Sequence, residues 1–375
     1  MSEPTRLIAG AMSGTSADGV DVALVRITGR GPAMTATVVH HHAHAFDPSL
    51  KATIFQIRQS GAVALRDLAQ LGHDLSTAYV EAVRAALDAA RLTTDALTAV
   101  AAHGQTLFHE PPLTIQWLDP ALIAARLACV VVSDFRRADC AAGGQGAPLV
   151  PFADFILFRH PQRNRVLLNI GGIANLSFIP AGGTMTDVVA FDAGPGNCIS
   201  DHLCRIMEPG GFGYDAGGAR ASRGNVHRGF IDAVVADDYF RRPAPKSTDV
   251  PTMLAIFERA RATVGGGISL DDLLATACAA TVDTIASAYR AAVGDVEAEW
   301  IVSGGGAHNA AIMNGLRGRF GNVLPSSDIG VDVAAKEALA FALLSAATLD
   351  GEPGNLPSVT GATRRVVGGA ITPRP

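Results

Sequence analysis

Residues Gly10–Leu24 read "GAMSGTSADGVDVAL". Leu7, Ile8 and Ala9 lead into this stretch, and Val20, Val22 and Leu24 lead out of it. Two apolar runs joined by small, hydroxylated and acidic residues read as strand, turn, strand. Glycines such as Gly14 and Gly19 let backbone N–H groups come close to a phosphate, and Thr15 and Ser16 can donate from their hydroxyls. Asp18 and Asp21 are wrong for phosphate but right for Mg²⁺ or its waters. The lysine of a P-loop is missing. A plain hairpin loop whose Ser, Thr and Asp satisfy their own backbone has the same composition, so this stretch alone leaves both readings open.

Outward from it, a third apolar run, Met34–His41, follows "TGRGPA" and completes a three-stranded meander. Leu65, Leu68, Leu71, Leu75, Ala78, Ala82 and Ala86 then recur at three- and four-residue steps, one face of a helix. "LTAVAAHGQT" reads as a buried strand ending in a polar loop. "DPALIAARLAC" reads as a helix with Asp119 as N-cap and Pro120 at its first position, and "VVVSDF" as another buried strand. The same order begins again at residue 165. "RVLLNIGGIANLSFIP" is strand, glycine turn, strand, and "TDVVAFDAGPGN" is a third strand running into a second glycine-rich turn. Helical segments Leu254–Arg261 and Asp271–Ala291 follow, then a late strand in "AEWIVSGGGAHN" and a last helix in "AAKEALAFALLSAATL". The expectation is an α/β protein of two duplicated halves, with the glycine turns of both lining a cleft between them.

The 375 residues include 48% hydrophobic and 17% charged ones, enough for two packed cores. The 40 glycines fall in short clusters, which suits turns where backbone meets ligand. A formal net charge of −5 without a basic block argues against nucleic acid as a partner. "MSEPTRLIAG" lacks the apolar core of a signal peptide, and no apolar run is long enough to span a membrane. Five widely spaced cysteines without a CxxC pair fit reduced thiols in the cytoplasm.

Asp192, in "FDAGPGN", ends an apolar run beside glycines that leave room, the place for a general base. The alternative is an Asp capping the next helix. "NIGGIAN" brings Gly171 and Gly172 within reach of phosphate. "SGGGAHN", with Gly304, Gly305, Gly306 and Asn309, precedes a helical stretch whose terminal N–H groups could meet an anion or nucleotide. In "HGQTLFHEP", His103, Gln105, Thr106 and His109 suit sugar hydroxyls. "GGQGAPLVPFAD", after Asp134, Arg136, Arg137 and Asp139, is an active-site loop or a hinge. The run His40–His44 is no zinc site, because neighbours on a strand point to opposite faces. "RATVGGGISL" reads as a loop that ends a helix, and Trp117 and Trp300 as core or cleft wall.

Eight stretches, "GAMSGTSADGVDVAL", "HGQTLFHEP", "VVSDFR", "GGQGAPLVPFAD", "LNIGGIANL", "FDAGPGN", "SGGGAHN" and "NLPSVTGA", occur in one order from about residue 7 to 362. In that order they resemble the anhydro-N-acetylmuramic acid kinases of the sugar kinase, actin and Hsp70 superfamily. The resemblance implies two duplicated actin/hexokinase-like (ribonuclease H-like) domains flanking an active-site cleft. The first would hold residues 1–132 and about 335–375, the second residues 133–334. It implies that ATP and water convert 1,6-anhydro-N-acetylmuramic acid to N-acetylmuramic acid 6-phosphate, in peptidoglycan recycling. Asp192 would be the general base. Gly14, Thr15, Ser16, Ala17, Asp18, Gly19, Val20 and Asp21 would form the ATP-phosphate loop, with Asp18 or Asp21 reaching Mg²⁺ through water. Gly171, Gly172 and Gly194 would line the same phosphates, Gly304–Gly306 would lie near the nucleoside, and Glu337 would touch sugar. A homodimer is the family's expectation. The chain departs from the family at Asp249-Val250-Pro251, where Gly-Arg-Glu is usual, and at Trp117, where a small residue is common.

Overall fold

A computed structural model describes residues 5–264, 267–329 and 335–375. The chain divides into two compact units, Met1–Phe158 with Ala334–Pro375, and Arg159–Val333.

In the first unit the opening stretch is a hairpin. Strand β1 (Arg6–Met12) pairs antiparallel with β2 (Gly19–Thr28), and β2 pairs antiparallel with β3 (Thr35–Ala45). The short strands β4 (Ala99–Ala102) and β7 (Val131–Ser133) add in parallel beyond β1, and a C-terminal strand, Ala370–Thr372, pairs antiparallel with β7. Between β4 and β7 stand β5 (Gln105–Glu110) and β6 (Leu113–Trp117), a separate hairpin where the sequence reads as a polar loop. The helix Leu65–Ala89 buries Leu71, Leu75, Ala78, Ala82 and Ala86 of the stripe read from its spacing, against β-sheet residues such as Val20, Val22 and Val100, while Leu65 at its start is exposed and Leu68 half-buried. Asp119 caps the helix Pro120–Leu127 by accepting from the N–H groups of Ala121 and Leu122.

The glycines of the opening stretch differ in cause. A Cβ on Gly10 would stand 1.9 Å from the carbonyl oxygen of Ala338, so a bare backbone is what lets the helix Lys336–Asp350 lie on β1. A Cβ on Gly19 would stand 2.1 Å from the carbonyl oxygen of His44, across the β2–β3 pairing. Gly14 has nothing nearer than Ser16 Oγ at 3.9 Å.

The second unit repeats the pattern. Strands β8 (Arg165–Ile170), β9 (Ile173–Ile179) and β10 (Val189–Pro195) form an antiparallel meander. The strands β11 (Glu299–Ser303) and β12 (Val323–Pro325) join in parallel beyond β8. Its order, β10-β9-β8-β11-β12, is that of β3-β2-β1-β4-β7 in the first unit, with the same parallel and antiparallel pairings. The duplication inferred from the order of elements is thus present strand for strand. The helix Leu270–Val293 buries most of its length in this unit's core, with Trp300 stacked on Phe320 at 3.8 Å.

The expected first boundary, 132/133, moves to 158/159. Residues 133–158 are tied to the C-terminal segment by buried polar bonds. Asp139 Oδ1 accepts from Asn355 Nδ2 and from the Thr360 hydroxyl, each at 2.7 Å, and Lys336 pairs with Asp154 at 2.9 Å. The "GGQG" segment therefore belongs inside the first unit. The other expected boundary, 334/335, touches residues outside those described, as do Gly265 and Gly266 of the expected loop Arg261–Leu270, whose first four residues continue the helix Val250–Val264.

Candidate functional site

In the first unit the turn after β1 is held from below. The Ser13 hydroxyl donates to Gln105 Oε1 at 2.7 Å, and Gln105 Nε2 donates to the carbonyl of Gly14 at 3.1 Å. Both ends of the Gln105 amide are used, and the residue is wholly buried. Ala17 and Val20 bury their side chains in the core, so only their backbone can meet a ligand. Thr15 and Ser16 are exposed. From the outer side Arg58 Nη1 donates to the carbonyl of Thr15 at 2.6 Å, and Lys51 donates to the Asp18 carboxylate. The Lys51 contact, and secondly Ser16, hold the Asp18 carboxyl below its ordinary range. Asp21 stands on β2 with its carboxylate half-exposed, 3.3 Å from His41 Nε2.

His103, at the end of β4, is buried with both ring nitrogens used. Nδ1 lies 2.8 Å from the carbonyl of Gly104, and Nε2 is 3.0 Å from Arg136 Nε. A carbonyl only accepts and a guanidinium only donates, so the ring is neutral with its hydrogen on Nδ1. Burial, reinforced by the Arg136 charge, keeps its pKa well below the usual histidine range. Arg136 also donates to the carbonyl of Gly146 at 2.8 Å, fixing the glycine-rich loop. Glu337 opens to solvent, yet its carboxyl is set among protein atoms. Burial there raises its pKa, Arg136 opposes the rise and Asp21 adds to it. Electrostatics thus couple Asp21, Arg136 and Glu337 at one rim of this unit.

The sugar contacts expected of His103 and Gln105 need correction. Their polar atoms are used inside the protein, His103 on Gly104 and Arg136, Gln105 on the loop. Both are therefore positioning groups. Thr106 is half-buried, with only a 3.5 Å approach from Gln116, and Glu337 remains open. Lys51 and Arg58 are not visible from the sequence, and Arg136 is visible there only as one of a run of charges. Only the cluster of charges around Arg136 gave a signal, since Lys51 and Arg58 come from a helix, Pro48–Ser60, distant in sequence.

In the second unit Asp192 lies on β10 where the register slips against β9, between Asp192 and Gly194. The slip re-aims the side chain. Asp192 does not cap the following helix, Cys198–Met207, whose N-cap is Asn197. Its carboxylate accepts one backbone hydrogen bond, from Thr248 N–H at 2.9 Å. Burial raises its pKa and that bond only partly opposes the rise. The Tyr239 hydroxyl donates to the Asp192 carbonyl at 2.6 Å, and Asp192 N–H donates to the carbonyl of Lys246 at 3.0 Å. A half-buried carboxylate with a raised pKa and few donors is the electrostatic description of a base.

The turns at Gly171–Gly172 and Gly194–Asn197 interlock. Gly196 and Cys198 N–H groups donate to the carbonyl of Gly172, and Asn197 N–H to that of Gly171. Gly194 is a glycine because a Cβ would stand 2.9 Å from Phe240 and 3.0 Å from Thr284. Gly304 and Gly306 are held against Ile170 by similar closeness, and a Cβ on Gly305 would stand 3.3 Å from Asn197 Nδ2, whereas Gly171 has clear space around its Cα. Asn309 has a different task from nucleotide contact. It caps the helix Ala310–Phe320, accepting from Ala311 and Ile312, and its amide donates to Cys278 Sγ at 3.5 Å.

Among the described residues no three His, Cys, Asp or Glu side chains stand together as a metal cage, and no helix is long and apolar enough to cross a membrane. All five cysteines are free and buried.

The duplicated strand order, with a hydroxyl-rich turn after β1 and a carboxylate on β10, defines a protein of two repeated α/β units. Sequence comparison narrows the class. The family description "Anhydro-N-acetylmuramic acid kinase" matches residues 6–374. The chain is 37% identical to the protein of that name from Gloeobacter violaceus over 99% of both chains. It is 34% identical to that from Caldanaerobacter subterraneus subsp. tengcongensis, over 98% of this chain and 97% of that one. Among solved structures it is similar to component A of the Acidaminococcus fermentans (R)-2-hydroxyglutaryl-CoA dehydratase, at 13% identity and a TM-score of 0.45, over 91% of this chain and 99% of that one. The chain belongs to the anhydro-N-acetylmuramic acid kinase family, and it is a kinase.

Proposed function

We propose that the protein opens the internal ether of 1,6-anhydro-N-acetylmuramic acid and phosphorylates the freed O6, giving N-acetylmuramic acid 6-phosphate and ADP. The observation that carries this reading is Asp192, a partly buried carboxylate with a raised pKa and a single backbone donor. An ordinary sugar kinase activates a hydroxyl, whereas here water must be activated as well, and a stronger carboxylate base suits that step. Asp192 takes a proton from water as the water oxygen bonds to the anomeric carbon and the C1–O6 bond breaks. O6 then bonds to the γ-phosphorus, the bond from that phosphorus to the β-phosphate oxygen breaks, and ADP leaves.

The loop Gly14–Asp21 would meet the ATP phosphates through its backbone N–H groups. Mg²⁺ needs one or two carboxylates together with substrate phosphates and waters, not a protein cage. Asp21, half-exposed and free of a lysine or arginine, fits that demand better than Asp18, which Lys51 engages. Mg²⁺ would supply neutralisation of phosphate charge. Glu337 and Thr106 are the side chains that remain open for sugar. The setting would be peptidoglycan recycling in the cytoplasm, by a homodimer that uses neither nucleic acid nor membrane.

A coupled ADP assay tests the reading. ADP and a 6-phosphorylated sugar should form only with ATP, Mg²⁺ and the muramic anhydro-sugar together, with a far lower kcat/KM on levoglucosan. Asp192→Asn should abolish turnover and leave ATP binding near wild type. Full activity in that variant would remove Asp192 as the base. Nucleotide binding without turnover of any anhydro-sugar would make the protein a sensor instead.

A further inference from the structure

Around Asp192 the polar groups are matched in pairs, with one exception. Tyr239 donates to the Asp192 carbonyl. Lys246 Nζ reaches the carbonyls of Tyr239 and Phe240 at 3.3 and 3.5 Å and lies 4.8 Å from the Tyr239 ring centroid. Asp249 Oδ1 accepts from Thr252 N–H at 2.9 Å, at the start of the helix Val250–Val264. The exception is Thr248. Its hydroxyl is buried and has no hydrogen-bond partner, although its own backbone N–H rests on Asp192 Oδ2 at 2.9 Å. A buried hydroxyl without a partner is unfavourable and needs a reason.

A threonine hydroxyl sits three bonds from its backbone nitrogen, so one turn about χ1 can carry it to whatever that nitrogen touches. The chain already contains the finished arrangement elsewhere. Ser49 gives both its N–H, at 2.8 Å, and its hydroxyl, at 2.7 Å, to the same oxygen of Asp47. We propose that Thr248 is a positioning residue of the base: its hydroxyl turns onto Asp192 Oδ2 when that carboxylate is ionised, becomes its second donor, and leaves Oδ1 directed at the attacking water. This rests on the assignment of Asp192 as base. The charged groups near the pair are Lys246 and Arg242, and Tyr239 carries the nearby titratable hydroxyl. None of these changes when Thr248 is substituted.

The test compares Thr248→Val, which keeps shape and backbone N–H, with Thr248→Ser, which keeps the hydroxyl. The first readout needs no turnover: an NMR titration of the ¹³C-labelled Asp192 carboxyl. Removing a donor to the charged form raises a carboxyl pKa. Thr248→Val should therefore titrate at higher pH than wild type, and Thr248→Ser should match wild type. In the assay, kcat on the anhydro-sugar should fall about tenfold or more in Thr248→Val, with KM within about twofold, and Thr248→Ser should restore it. Below the Asp192 pKa, where the carboxyl is protonated and the hydroxyl has no partner, the melting temperature of Thr248→Val should equal or exceed that of wild type, and near neutrality it should fall slightly, by the amount linked to the pKa shift. An unmoved Asp192 titration, or a melting temperature that falls as much in acid as at neutrality, overturns the proposal. If wild type turns over no anhydro-sugar but the titration moves as expected, the reading of function fails and the Thr248–Asp192 pairing stands.

Discussion

Three glycines in one stretch, Gly10, Gly14 and Gly19, should respond in opposite ways to the same added methyl group. At Gly14 a Cβ meets nothing closer than 3.9 Å, and the residue lies outside the left-handed region. Replacing such a glycine by alanine narrows the unfolded ensemble and stabilises by about 0.4–1 kcal/mol. In a domain of this size that raises the melting temperature by about 1–4 °C. If the loop cradles phosphate, the same methyl occupies space that the phosphate needs. Overpacking of that kind costs about 1–3 kcal/mol, so ATP should bind about tenfold or more weakly. At Gly19 the methyl would lie 2.1 Å from the His44 carbonyl oxygen and 2.8 Å from Ala45 Cα, both backbone. The β2–β3 pairing must part, and Gly19→Ala should lower the melting temperature by about 2–12 °C. Gly10→Ala should do the same by lifting the helix Lys336–Asp350 off β1. Thermal denaturation and calorimetric titration with ATP measure both effects on each variant. A stable Gly14→Ala that binds ATP like wild type would refute the phosphate reading of the loop. A Gly19→Ala of unchanged stability would refute the division by available space.

The raised pKa of Asp192 puts the acid limb of kcat/KM above the ordinary carboxylate range, and a pH–rate profile locates it. The sign for stability is the reverse of a salt-bridged carboxylate. The native state holds this proton more tightly than the unfolded chain, so ionised Asp192 opposes folding, and that opposition lifts as pH falls through its native pKa. The melting temperature of Asp192→Asn relative to wild type should therefore be most favourable near neutrality and lose that advantage in acid. Asp139→Ala strands three buried donors, Gly146 N–H, Asn355 Nδ2 and the Thr360 hydroxyl. It should cost about 3 kcal/mol or more and lower the melting temperature by about 6–12 °C, with Thr360→Val costing less. Gln105→Leu should free the Ser13–Gly14 end of the turn, raising KM for ATP several-fold with a smaller change in kcat, as steady-state kinetics would register.

Periodicity and order made the architecture legible. The stripe on Leu65–Ala89 and the repeat of strand, glycine turn and strand at residue 165 are local patterns; the repeat stands in the structure, and the stripe does from Leu71 onward. The β5–β6 hairpin was missed because "HGQTLFHEP" mixes polar and apolar residues, and its pairing with Leu113–Trp117 leaves Phe108, Leu113 and Ile115 exposed. The boundary was misplaced because nothing in residues 133–158 announces that Asp139 will bond to residues more than 200 positions later. Glycine clusters pointed to ligand as a group, but sequence cannot tell a glycine that makes way for a helix, as Gly10, from one that faces open space, as Gly14. For the same reason Asn309, His103 and Gln105 looked like ligand contacts. Their side chains carry the right chemistry, and only three-dimensional neighbours show that it is already used.

The missing P-loop lysine follows from how the first turn is built. A P-loop lysine brings charge to a phosphate directly. Here the cations at the turn, Lys51 and Arg58, bond to Asp18 and to the carbonyl of Thr15. Their hydrogen bonds hold the turn from outside while Gln105 holds it from inside. A turn fixed on both sides presents its N–H groups already ordered, so less conformational entropy is lost when an anion binds. On the proposed reading, neutralising phosphate charge would fall to Mg²⁺, which would assign different tasks to the two acidic residues of the stretch. Asp18 anchors Lys51 and scaffolds the loop. Asp21, half-exposed and electrostatically coupled to Glu337, would be the carboxylate left to hold the metal's waters.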